Sequence, residues 1–279
     1  MDTSGSKCGG WKRYRCNGRL LIMDKLKRLR TNHTILSCIK QSLSGRIFLL
    51  AVSGIVSAFC IGGFAAVYAA MEKYKTGLIE YGTHYTVLET AIKSDAVCLL
   101  LPVFAALPYT AEFLEELESG YIKSYLIRAG RGRYICGKII AAAISGGMAC
   151  MVGIGIYIDL LRLLMLPMEK QGKMQGAGMV FVLFFCLGML FSLVGMLFSM
   201  ITSSRYMAYA SPFVFEYALI ILHERYLKKL YIIYPKEWFA PSEENWAFGT
   251  TGTLIYLLLL CILIAVILVP AMERRINEI

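Results

Sequence analysis

Apolar and polar positions are distributed along this chain as six long apolar runs, at about 47–70, 95–112, 135–158, 178–202, 206–222 and 252–270, separated by short charged stretches. A hydrocarbon core of about 30 Å takes roughly 20 apolar residues in α-helical form, so each run predicts a transmembrane helix. The charged stretch between the second and third runs, AEFLEELESGYIKSYLIRAGRGRY at 111–134, has a different period. At 100° per residue Phe113, Leu114, Leu117, Tyr121 and Tyr125 share an arc of about 120°, with Glu112, Glu115, Glu116 and Lys123 turned away. This predicts an amphipathic helix at about 111–128 with an acidic face, followed by a glycine-punctuated basic turn carrying Arg128, Arg131 and Arg133. Ahead of the first run, Leu26, Leu29, His33, Ile35, Leu36 and Ile39 fall on one face opposite lysines and arginines. That pattern predicts a helix at 23–46 lying in the headgroup region. Residues 1–22 are basic and Gly-rich, with the character of a disordered extension, and the regular pattern marks Met23 as the expected natural start.

Composition strengthens the membrane reading. Of 279 residues, 57% are hydrophobic and 17% charged, with a mean hydropathy of +0.60, and a water-soluble domain does not carry such values. The expected fold is all-α, a polytopic membrane protein with six transmembrane helices over 47–279 and no room for a soluble catalytic domain of about 100 residues. Lysine and arginine stay on the cytoplasmic side. Eleven lie in 1–46, five in 111–138, one at Arg205 and two at Arg274 and Arg275, against three in 71–94, three in 159–175 and four in 223–249. Nineteen against ten places both termini in the cytoplasm, and the net charge of +10 is then an orientation signal rather than a nucleic-acid footprint. The segment 223–249 becomes an extracellular loop. Its Trp238, Phe239 and Trp246, near Pro235 and Pro241, suit an interfacial belt and a partly re-entrant hairpin. Asp159 and Arg162, three apart, are expected to pair.

Candidate chemistry is sparse. Gly132, Gly137 and Lys138 satisfy the G-x-x-x-x-G-K spacing of a phosphate-binding loop, but the next residue is Ile139 where a magnesium-binding hydroxyl belongs, and the stretch runs into an apolar span. Nine cysteines are scattered without a C-x-x-C pair and read as small packing residues. His33, His84 and His223 show no metal spacing, so no metal site is expected. There is no H-E-x-x-H, no G-x-S-x-G and no aspartate pair in separate spans, which disfavours an intramembrane enzyme. Small residues at four-residue spacing, Gly54, Ala58, Gly62, Ala66 and Ala70 in the first span and Ala141, Ser145, Ala149 and Gly153 in the third, read as helix-packing stripes. In the fourth span Met189 and Met196, among several phenylalanines, have two readings: lipid-facing residues, or a soft wall along a translocation path. Glu216 is the one acid well inside a span. It is either a polar point on that path, meeting cationic cargo, or an outer-end residue paired with Arg225 or a lysine.

The central charged segment resembles the cytoplasmic signature of the type 2 ABC transporter permeases, the ABC-2 family. In that family Glu-x-Glu-x-Gly begins a coupling helix, and an Arg, a Tyr or Leu and a Gly-Lys pair lead into the third span. Here these are Glu116, Glu118, Gly120, Arg131, Tyr134, Gly137 and Lys138. The resemblance extends to the layout: an interfacial elbow helix, six spans and a long outer loop before the last. It implies a bacterial plasma-membrane exporter subunit without its own ATPase site, with ATP and magnesium held by a separate ABC ATPase. It also implies a dimer with a second copy or a paralogue. The coupling contact would fall on Glu116, Glu118, Gly120, Tyr121 and Arg131, with Lys138 snorkelling to the headgroups. An ion-coupled carrier or channel is the alternative.

Overall fold

A computed structural model describes residues 36–75, 83–122, 126, 130–165, 177–241 and 249–278. Among them every regular element is helical. After a helical stretch at 36–43 come α1 (Arg46–Lys75), α2 (Thr83–Ile92), α3 (Asp95–Ala106), α4 (Glu112–Glu118), α5 (Arg131–Met165), α6 (Ala177–Thr202) and α7 (Arg205–Arg225). A 3₁₀ turn at Tyr231–Ile233, α8 (Pro235–Phe239) and α9 (Gly249–Asn277) complete the order. The 1–22 extension and residues 23–35 of the interfacial helix lie outside the described residues, as do Lys123, Tyr125, Arg128 and Trp246.

Among the described residues four helices, α1, α5, α6 and α9, are long and apolar enough to cross a membrane. The other two apolar runs take a different form. The run at 95–112 yields α3, whose 12 residues rise only about 18 Å. It starts where Ser94 accepts a hydrogen bond from the Val97 N–H, with Asp95 in the first turn. It ends before Pro108, which has no N–H to continue the ladder. The run at 206–222 lies within α7, whose 21 residues include Glu216.

The bundle is organised around α6, which packs against α3, α5, α7, α8 and α9. At its crossing with α5 the backbones almost touch. A Cβ added to Gly146 would lie 2.6 Å from the Gly188 carbonyl oxygen and 2.9 Å from that of Ala105, and the Ser192 hydroxyl donates to the Ala142 carbonyl at 2.7 Å. Small residues at helix contacts are how lipid-embedded helices gain dispersion energy. The stripes in α1 and α5 do the same, since Ala58, Ala141, Ser145 and Ala149 are fully buried and a Cβ on Gly153 would meet Ile55 at 2.6 Å. Within α6, Met196 is buried in the core and Met189 packs partly buried against it. Phe184 and Phe191 are buried too and meet Phe239 of α8 at 6.1 and 6.4 Å between ring centres. The five-residue α8 thus reaches into the bundle, and Trp238 donates its indole N–H to the Ile232 carbonyl at 2.7 Å.

Candidate functional site

α4 sits at one end of the bundle, joined there by the start of α5, the end of α6, the start of α7 and the end of α9. Phe113 and Leu114 are buried and seat the helix on the core. Phe113 packs against Tyr134 of α5, with ring centres 6.0 Å apart. The expected helix over 111–128 is broken. α4 stops at Glu118, Gly120 turns the chain with a φ of 73° and Gly130 turns it again at 81° before α5. Both angles lie where a Cβ is disfavoured, so the glycines set the corners. The Glu116-x-Glu118-x-Gly120 signature therefore spans the end of α4 and the corner after it, the chain is helical again at 121–122, and Tyr121 is 54% exposed.

The acids of α4 have three separate attachments. Glu116 turns inward, where its Oε1 accepts from the Lys138 ammonium at 2.7 Å and its Oε2 accepts from the Tyr134 hydroxyl. Lys138 also donates to the Tyr109 hydroxyl at 2.8 Å, and its Nζ sits 4.8 Å from the centre of that ring. Only 2% of the Lys138 side chain is exposed. It does not snorkel: a buried ammonium is tolerable only when paired and hydrogen-bonded, and Glu116 with Tyr109 meets that need. Glu115 and Glu118 reach the Arg205 guanidinium at the start of α7, the first at 3.6 Å. The bond to Glu118 raises the arginine above its ordinary value. Glu112 accepts from the Gln41 amide at 2.9 Å, which ties in the 36–43 stretch. Arg131 faces away from α4 and donates to Asn277 of α9 at 2.7 Å. Arg275 of α9 closes the end of α6, donating to the Met200 carbonyl at 2.9 Å and the Ile201 carbonyl at 3.2 Å.

Residues expected to mark one membrane side, Arg131, Lys138, Arg205 and Arg275, thus gather at one end together with the 36–43 stretch and the end of α9. An open cleft of about 490 Å³ lies there beside α4, lined by Glu115, Glu118, Ser204, Arg205, Tyr206 and Tyr209. Tyr109 and Arg205 were not singled out as contact residues from sequence. Arg205 was legible only as a side marker, and Tyr109 carried no signal.

Toward the other end, Glu216 is buried at 2% exposure, and its Oε1 accepts from the Cys98 thiol at 2.8 Å. Neither Arg225 nor a lysine pairs with it among the described residues. Lys236 instead bridges α8 to α3 by donating to Asp95 at 2.9 Å, and that bond holds its ammonium above the usual lysine value. Asp159 and Arg162 make the expected exposed pair at 3.6 Å. Comparison with family models, with curated proteins and with solved structures gives no match.

Proposed function

We propose that the chain is the transmembrane permease subunit of an ATP-driven exporter in a bacterial plasma membrane, paired with a second copy or a paralogue and driven by separate ABC ATPase subunits. The observation that carries this reading is the linkage of α4. One short acidic helix is attached through Glu116 to α5, through Glu115 and Glu118 to α7, and through Glu112 to the 36–43 stretch. A push on such a node moves several elements as a rigid body, which is what coupling a remote ATPase to a membrane bundle requires. The cleft beside α4, with Tyr206 and Tyr209 among its acids and Arg205, offers a surface on which a soluble partner can seat. In this reading Glu118, Gly120 and Tyr121 belong to the docking edge, while Glu116 and Lys138 act from inside by stiffening the lever. Arg131 contributes by fastening α5 to α9.

Six crossings follow if the α2 and α3 pair supplies one and α7, rising about 32 Å over its 21 residues, supplies another. An even number agrees with the 36–43 stretch and the end of α9 lying at the same end of the bundle as α4, and the lysine and arginine balance assigns that end to the cytoplasm. The buried Glu216 favours an ion-coupled carrier as the second reading. Copurification from native membranes separates the two. The exporter brings down a soluble P-loop ATPase whose turnover rises with the chain present, and replacing Glu115 and Glu118 by lysine lowers that rise while leaving insertion intact. A chain that purifies without an ATPase and moves solute on an ion gradient alone refutes the exporter.

A further inference from the structure

α3 and α7 enclose a pocket of about 380 Å³ around Glu216, with Asp95, Glu224 and Lys236 also in its lining. The volume lies in the range of small-molecule sites. We propose that this pocket binds a small organic monocation, a protonated primary amine carried on an apolar or aromatic body.

Glu216 supplies the anchor. One of its oxygens is taken by Cys98, and the other, Oε2, is buried without a hydrogen-bond partner among the described residues. A buried carboxylate oxygen in that state calls for a donor. The lining sets three acids, Asp95, Glu216 and Glu224, against Lys236, so its net charge favours a cation. Lys236 is already bonded to Asp95, so Glu216 and Glu224 remain uncompensated there. The rest of the lining is apolar or aromatic, including Leu99, Phe213, Tyr217 and Ile220. Phe213 and Tyr217 stand 5.7 Å apart, and such rings offer negative faces to an ammonium and surface to its hydrocarbon body. Tyr217 is itself exposed, so the mouth opens on the outer flank of α7. A metal ion suits the lining poorly, because no three metal-ligating side chains converge among the described residues and Lys236 would repel a dication.

The proposal concerns binding alone. A failed amine titration leaves the coupling role of α4 untouched, and a chain that recruits no ATPase can still hold the amine. The test is calorimetric titration of the full chain in lipid nanodiscs, at neutral pH, with 2-phenylethylamine and with its neutral analogue 2-phenylethanol. The amine is expected to saturate one site and to bind at least about tenfold more tightly than the alcohol. Glu216→Gln is expected to erase that preference, Glu224→Lys at the exposed rim to weaken the amine several-fold without changing the alcohol, and Asp159→Asn, outside the pocket, to change neither. Equal affinity of amine and alcohol for the unaltered chain overturns the proposal, as does undiminished amine binding by Glu216→Gln or the absence of saturation at millimolar amine. Should Glu216→Gln fail to remain monodisperse, the preference of the unaltered chain together with Glu224→Lys decides the matter.

Discussion

Glu116→Gln keeps the shape of the side chain that joins α4 to α5 and removes its charge. The Lys138 ammonium, 2% exposed and 2.7 Å from the carboxylate, would then be left with a neutral amide and the Tyr109 hydroxyl. At an effective dielectric of about 20, two unit charges some 3–4 Å apart attract by about 4–5 kcal/mol. Removing one member of a buried pair typically costs about 3–5 kcal/mol, because the other charge stays desolvated. The retained amide oxygen still accepts a hydrogen bond, which places the expected loss near the lower end, about 3 kcal/mol. On the scaling of a chain this long, that is a fall of about 6–12 °C in the thermal midpoint. Lys138→Met in the same chain removes the stranded charge, and the double variant should recover to within about 1 kcal/mol of the unaltered protein. Thermal unfolding of the four proteins in one detergent completes the cycle. A loss for Glu116→Gln below about 1 kcal/mol, the range of exposed ion pairs, refutes a buried clamp. So does a double variant as unstable as the two single losses added together.

Other perturbations separate stability from coupling. Arg205→Ala breaks an exposed attachment to Glu115 and Glu118, so it should cost less than about 1 kcal/mol in a melting experiment yet lower ATPase stimulation markedly. Gly146→Val drives a branched side chain against the Gly188 carbonyl and should lower stability by about 1–3 kcal/mol or abolish folded protein in size-exclusion chromatography. Trp238→Phe loses the bond to Ile232 and part of a buried surface, and should cost about 1–2 kcal/mol in thermal unfolding.

The long apolar helices were legible because hydropathy over some 20 residues needs no tertiary information. The Asp159 and Arg162 pair was legible for a similar reason, since helical spacing alone brings the two together. The same reasoning overextended α4. It followed the period of Phe113, Leu117 and Tyr121 through Gly120, whose positive φ ends that period. The inward turn of Glu116 was hidden because it depends on Lys138, 22 residues further on in another helix. The position of α6 was hidden for a different reason. A helix apolar on every side reads alike whether its neighbours are lipid or protein, so Met196 and Phe191 gave no hint that they lie in the core. Glu216 was recognised as unusual, but its lack of a basic partner among the described residues depends on where Lys236 is spent, and that is settled by Asp95 at the start of α3.

The most direct test of the account replaces Ser119, exposed at the end of α4, by a photo-crosslinking amino acid in the native host and identifies the adducts by mass spectrometry. An adduct with a soluble P-loop ATPase, its yield changing with added nucleotide, is expected. Adducts confined to extracytoplasmic proteins, or a Ser119 position that captures no ATPase while the chain remains active, would contradict it.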